Sequence, residues 1–228
     1  MFGFGKPARP KVVAFDIICT VFPLEPMRPG IVSLGLPPSG LEGWFAAGLR
    51  DAFALSAVGD FKPFTSVLEE ALVQVLAEQN LSASAAERAS LLDMLKQLPS
   101  RPDAEQAFTI LKSACIRILA LTNGSTSSTK SLLENAGLHD MVEHIVSVDD
   151  VKLSKPRREV YEHAARKADV EPAELALIAA HGWDINGAKA AGLTTAYISA
   201  ERPFPQTMRS PDLEDASLSG VARALVDL

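Results

Sequence analysis

Lys11-Val12-Val13-Ala14-Phe15-Asp16 is the stretch on which the fold turns: a short β-branched apolar run, bounded by Pro10, that ends in a carboxylate. Such a run reads as a buried strand. Far downstream the chain settles into alternation. The pattern predicts a helix at Asp103–Ala114, a strand at Ile116–Leu121, and a helix around Thr126–Ala136 stopped by Gly137. It then predicts a strand at His144–Val148 and a helix at Arg157–Ala168 with Pro156 in its first turn. Leu175–Ala180 reads as a strand, Ile185–Ala191 as a short helix ended by Gly192, and Thr194–Ser199 as another strand. Strand and helix alternating in this way imply an α/β fold, a Rossmann-like parallel-sheet core covered on both faces. The tail after Arg202 carries little pattern before a closing helix at Ser217–Leu228.

Between the first strand and this alternating part the composition changes. Pro23, Pro26, Pro29, Pro37 and Pro38 crowd the stretch from Val21 to Pro38, which reads as a linker because proline cannot continue a helix or a central strand. From Leu41 to Leu98 the pattern is helical. Val67, Leu68, Ala71, Leu72, Val75 and Leu76 recur at helix spacing up to Asn80, and Ser84 with Glu87 makes a capping-box pattern before Leu91, Leu92, Leu95 and Leu98. Pro99 and Pro102 close the block. A helical block between two proline clusters suggests an inserted helical cap domain at 23–99, with a core domain made of 1–22 and 100–228.

The chain has 228 residues, 47% hydrophobic and 22% charged, enough for one sizeable core and a smaller appendage. A net charge of -6 argues against nucleic acid or an anionic membrane as main partner, since both reward clustered Lys and Arg. A small anion held by one or two local cations remains compatible. Cys19 and Cys115 each stand in an apolar, strand-like setting and read as buried free thiols rather than a disulfide, which fits a reducing compartment. The opening MFGFGKPARPKVVAFD lacks an apolar core long enough for a signal peptide, and no window approaches a membrane span. Cytoplasm is the expected location, and association into a homodimer is left open.

Ligands of an open parallel sheet bind beyond the carboxyl ends of its strands. Four stretches fall there: Asp16 to Thr20, Thr122-Asn123-Gly124-Ser125, Lys155-Pro156, and His181-Gly182-Trp183-Asp184. A nucleophile, hydroxyl and amide donors, a cation and a second acid would converge on one crevice. Alone, an Asp at a strand end could simply cap the next loop, and a lone Lys before a helix means little.

In that order, FDIICTVF at Phe15–Phe22, LTNGS at Leu121–Ser125, SVDDVKLSKP at Ser147–Pro156 and HGWDINGAKAAGL at His181–Leu193 resemble the haloacid dehalogenase superfamily, within it the 2-haloacid dehalogenase-like (type II) branch. The resemblance implies Asp16 as covalent nucleophile, with Lys155 as its electrostatic partner. Asp184 would hold Lys155 and help activate the hydrolytic water, while Thr122 and Asn123 bind the anion. Thr20, Phe45, His181 and Trp183 complete the substrate-binding set. The implied reaction is hydrolysis of a small 2-substituted (2-halo) acid through an Asp16 ester, with no cofactor and no metal. The chemistry is coherent: an adjacent ammonium keeps a buried carboxylate ionised, and covalent catalysis splits one hard displacement into two easier steps.

Several positions depart from the family pattern. The superfamily's phosphatases carry a second acid two residues after the nucleophile, where this chain has Ile18, and another acid four or five residues before Asp184, where it has Ala180 and Ala179. Both losses weaken a Mg²⁺-dependent phosphatase reading, which stays as the first alternative. The dehalogenase branch places a halide-cradling Arg where an ungapped placement puts Phe45. Arg28 and Arg50 are candidate substitutes, each with a structural surface role as the rival reading. His181 stands where the family often has Asn, and either lines the site or is a satisfied structural residue; Cys19 replaces a usual Gly and reads as packing. Trp183 forms an apolar wall supporting Lys155 or belongs to the core. Tyr161 reads as a packing residue with its hydroxyl near the crevice. The missing arginine also keeps open a non-catalytic binding protein on the same scaffold.

Overall fold

In the computed structural model, which describes residues 7–228, strand β1 (Val12–Asp16) is buried along its whole length. The extreme N-terminal part of the opening segment lies outside the described residues. Alternate side chains of β1 serve opposite faces: Val13 and Phe15 join one apolar cluster, Val12 and Ala14 the other. That is why the run is apolar without interruption. Phe15 stacks on Phe108 with ring centroids 4.4 Å apart, tying the strand to the helix that precedes β2.

After β1 come α1 (Arg28–Ser33), α2 (Gly40–Val58), α3 (Phe64–Glu78) and α4 (Ala85–Met94), then α5 (Ala104–Ser113). The alternating part follows as β2 (Arg117–Thr122), α6 (Thr126–Asn135), β3 (His144–Ser147), α7 (Arg158–Lys167) and β4 (Leu175–Ala179). It ends with α8 (Gly182–Ala191), β5 (Thr194–Ile198), β6 (Leu213–Asp215) and α9 (Leu218–Val226). The strands pair in parallel in the order β3-β2-β1-β4-β5-β6. The chain therefore runs outward on one side of β1 and resumes on the other at β4. The switch point lies between the ends of β1 and β4, where a crevice opens. Helices α5, α6 and α9 cover one face with apolar side chains, and α7 and α8 cover the other, an α/β layered architecture.

Five local expectations need correction. The proline-rich stretch is not all linker: a 3-10 turn at Glu25–Met27 and helix α1 form within it. Pro26 and Pro29 fall in first turns, where the missing N–H breaks no intrahelical bond. Pro156 precedes α7 rather than sitting in its first turn, since Arg157 caps that helix. Helix α8 begins at Gly182, three residues earlier than its periodicity suggests, so Trp183 and Asp184 are helical. Strand β6 was not visible in the pattern; it is three residues long and half-exposed at the sheet edge, with no apolar run to mark it. Cys115 is exposed at a turn after α5, and Cys19 is half-buried in the loop after β1, so neither occupies a strand. Both cysteines have positive φ, 70° at Cys19 and 59° at Cys115.

Among the described residues no helix is long and apolar enough to cross a membrane. The Ser84–Glu87 capping box forms as read, with the Ser84 N–H donating to Glu87 at 2.7 Å. Helices α2 and α3 pack closely, and the Trp44 indole N–H donates to the Leu68 carbonyl at 2.8 Å.

Gly187 is where α8 meets the loop leading into α7. A Cβ there would lie 2.5 Å from Pro156 Cβ, 2.7 Å from the Tyr161 hydroxyl and 2.9 Å from the Pro156 carbonyl. Gly187→Ala is therefore expected to lower stability by about 1–3 kcal/mol through overpacking. Urea denaturation reads this as a lower midpoint at unchanged slope; an unchanged midpoint contradicts the packing.

Candidate active site

Asp16 is the last residue of β1 and 5% exposed, so its carboxylate faces the switch-point crevice with little water around it. Lys155 reaches it from the loop after β3. The Lys155 ammonium is fully buried and donates all three of its hydrogens: to Asp16 Oδ1 at 2.7 Å, to Asp184 Oδ2 at 2.6 Å and to the Leu121 carbonyl at 3.2 Å. Asp184, in the first turn of α8, accepts a second bond at Oδ1 from the Tyr161 hydroxyl at 2.6 Å. A carboxylate, an ammonium and a carboxylate from three separate chain regions thus form one buried cluster.

The electrostatics follow. Burial alone would raise the Asp16 carboxyl, but the Lys155 ammonium and the His181 side chain together outweigh it and hold the group well below the usual carboxylate range. Burial would likewise lower Lys155, and the charges of Asp16 and Asp184 reverse that, keeping the ammonium protonated. Asp184 goes the other way. Burial raises it more than Lys155 lowers it, and the negative charge on Asp16 adds to the rise. Of the two carboxylates, Asp16 is the one whose ionised form the site favours more strongly.

The second oxygen of Asp16 is also positioned. Thr20 donates from its hydroxyl to Asp16 Oδ2 at 2.6 Å and accepts the Ala180 N–H at 2.9 Å, linking the ends of β1 and β4. Thr20 is fully buried, so it orients the carboxylate and is not placed to touch a substrate, which differs from the substrate-binding role expected of it. The loop holding Thr20 is gripped by Arg101, which donates to the Thr20 carbonyl at 2.7 Å and the Cys19 carbonyl at 2.8 Å. Sequence reasoning missed Arg101, because an Arg between two prolines carries no motif. Burial and the nearby Asp16 charge push the Cys19 thiol up, so it stays protonated and inert.

Thr122, Asn123, His181, Trp183 and Phe45 all line a small chamber of about 20 Å³ over Asp16, together with Ile18, Leu49 and Phe64. Asn123 accepts the Lys155 backbone N–H at 3.0 Å, which fixes the lysine loop, and its amide nitrogen has no partner among the described residues. Among the described residues the buried side-chain polar atoms without a partner are Asn123 Nδ2, His181 Nδ1 and Trp183 Nε1. Unpaired buried polar groups cost about 1–3 kcal/mol each, and all three belong to residues of this chamber. Their clustering marks a place built for a polar ligand. Leu49 and Phe64 were not singled out from sequence, though Phe45 and Leu49 sit four residues apart on one face of α2.

Phe45 is buried, packs edge-on to Phe64 at 6.0 Å and lies parallel to the His181 ring at 6.3 Å. Trp183 stacks on His181 at 5.1 Å, and its ring lies 5.7 Å from the Lys155 ammonium. The candidate arginines do not replace the missing cation. Arg28 is bound to Glu25 and Glu42, and Arg50 pairs with Asp51 and borders the wider cleft rather than the chamber over Asp16. Phe45, Leu49, His181 and Trp183 also border a wider cleft of about 890 Å³ between α2 and the loops after β4 and β5.

The same geometry tests a magnesium ion. Asp16 and Asp184 each already give an oxygen to the Lys155 ammonium, which stands between them. The other positions that would supply acids are Ile18, Ala179 and Ala180, and among the described residues no group of three His, Cys, Asp or Glu is placed to hold a metal. The residues present do not fit the ion.

A layered α/β fold with an ionised, lysine-paired aspartate at its switch point defines a hydrolase. A family model described as haloacid dehalogenase-like hydrolase matches residues 40–192, and the chain belongs to that family. It is 28% identical over 222 residues to the (S)-2-haloacid dehalogenase of Pseudomonas sp. (strain YL), covering 96% of this chain and 94% of that one. It is 30% identical over 186 residues to (S)-2-haloacid dehalogenase 1 of Pseudomonas sp. (strain CBS-3), covering 81% and 82%. The solved L-2-haloacid dehalogenase of Xanthobacter autotrophicus shares the fold with a TM-score of 0.87 at 24% identity, covering 94% of this chain and 98% of that one.

Replacing Lys155 by Met should raise the Asp16 pKa, because burial then acts without the opposing ammonium. A higher pKa means the carboxylate is protonated at higher pH. The acidic limb of kcat/KM should therefore move upward by about 1–3 pH units. A limb that stays in place contradicts the assigned pairing.

Proposed function

We propose that the chain hydrolyses small 2-halo acids through a covalent ester on Asp16, without a metal. The observation that carries this reading is the Lys155 ammonium, 2.7 Å from Asp16 and 2.6 Å from Asp184, which keeps a buried carboxylate ionised and nucleophilic. The printed activities of the relatives above, (S)-2-haloacid dehalogenases, support the substrate class.

In the first step the Asp16 carboxylate attacks the carbon bearing the halogen, and the halide leaves with the bonding electrons. Asn123 Nδ2 and the Thr122 hydroxyl hold the substrate's own carboxylate. Lys155, fixed by Asp184 and Tyr161, keeps its charge throughout and opposes protonation of Asp16. In the second step water attacks the ester carbonyl and releases the hydroxy acid. The helices within 23–99 act as a cap over a core of 1–22 and 100–228. In the closed arrangement the chamber of about 20 Å³ has room for about one water, so a haloacid is admitted when cap and core part. Ser56 of α2 accepts the Ser154 N–H at 2.8 Å, which couples that movement to the loop carrying Lys155. The free thiols of Cys19 and Cys115 suit a cytoplasmic setting.

Phe45 gives the departing halide a ring edge, which is weakly positive, in place of a full charge. Leaving-group quality should then dominate the rates. In a panel of (S)-2-halopropanoates we expect bromo above chloro, with the fluoro acid far behind; equal rates for all three contradict the weak-cradle reading. Single turnover in heavy-oxygen water should give a first product without label and later label in Asp16, and Asp16→Asn should lower the rate by about 10³-fold or more. Label in the first product means direct attack by water and overturns the ester mechanism.

A further inference from the structure

We propose that His181 is the general base of the second step, taking a proton from the water that opens the Asp16 ester. The proposal rests on the ester mechanism above and assigns a residue to a step that Asp16, Lys155 and Asp184 do not cover between them.

His181 immediately precedes α8, just beyond the end of β4, and is 7% exposed. Its ring stacks against both Phe45 and Trp183, with interplanar angles of 23° and 27°. In that position Nδ1 lies 3.6 Å from Asp16 Oδ2 and has no hydrogen-bond partner among the described residues. That separation is too long for a direct hydrogen bond. It suits a water that touches Nδ1 and stands beside the Asp16 carbonyl carbon. The chamber that both residues line, about 20 Å³, has room for about one such molecule.

The neighbouring groups are otherwise committed. Both oxygens of Asp184 accept bonds, from Lys155 and from Tyr161, and the residue is fully buried outside the chamber lining. That leaves Asp184 an orienting role rather than the help with water first expected of it. All three Lys155 hydrogens are donated, and the Thr20 hydroxyl is spent on Asp16. Among the described residues lining the chamber, His181 is the one acid–base group besides Asp16 itself. An imidazole is also the side chain best able to take and return a proton at neutral pH.

The step balances as follows. The water oxygen bonds to Asp16 Cγ while one of its protons passes to Nδ1, in the tautomer carrying hydrogen on Nε2. The tetrahedral adduct collapses, the Cγ–ester oxygen bond breaks, and the departing alkoxide takes the proton back from His181. The hydroxy acid leaves with an oxygen that came from Asp16. The remaining water proton dissociates from the restored carboxyl, which Lys155 favours in its ionised form.

Rapid-quench kinetics with (S)-2-bromopropanoate tests this on wild type, His181→Gln and His181→Ala. Bromide, 2-hydroxypropanoate and the mass of the Asp16 peptide are followed together. Both variants should keep a bromide burst of one equivalent per site, make hydroxy acid about 10²–10⁴-fold more slowly, and accumulate adduct on Asp16. Free imidazole should restore the second phase in His181→Ala. Unchanged hydroxy acid formation in both variants overturns the proposal, as does bromide release that falls in step with it while no adduct accumulates. Wild type that yields neither bromide nor adduct overturns the ester mechanism itself, and this step with it.

Discussion

The Lys155 ammonium makes three hydrogen bonds from a position with no solvent exposure, and two of them end on carboxylates that the fold brings from distant parts of the chain. Such an arrangement is expensive to build, since taking each charge out of water costs several kcal/mol and only close pairing offsets it. Removing one partner leaves uncompensated charge in the core. The surrounding structure is organised to prevent that: Asn123 fixes the lysine's backbone, Tyr161 the far side of Asp184, and Thr20 the near side of Asp16. Those supports in turn rest on strand order, because placing β2 and β4 on either side of β1 sets the ends of all three around one crevice.

Much of this was legible in the sequence. The unbroken apolar run of β1 followed from burial on both faces, and the alternating part followed from helix stops at Gly137 and Gly192. The four strand-end stretches could be found because chemistry-bearing residues stand directly after apolar runs. What periodicity did not convey was local. Proline density hid α1, since Pro29 occupies a first-turn position where it is tolerated. Strand β6 was hidden by its length and exposure. Cys115 looked buried by its apolar neighbours, yet it stands at a turn with positive φ.

The site was legible in its residue types and illegible in its connections. Sequence reading placed Thr20 in contact with substrate, but its hydroxyl is consumed in joining Asp16 to Ala180. Tyr161 and Arg101 act through contacts across the fold, from positions that carry no motif. Phe45 shapes the pocket: its ring packs against His181, which in turn stacks on Trp183, so the chamber presents aromatic surface and a few unpaired polar atoms.

The central claim is that Asp16 is ionised because Lys155 is beside it. Carbon-13 NMR of protein labelled at the aspartate carboxyl, with Asp16 assigned by comparison with Asp16→Asn, measures this directly. The account predicts that the Asp16 resonance stays in its ionised position while ordinary aspartates titrate near about pH 4. A resonance that titrates with them, or at higher pH, contradicts it.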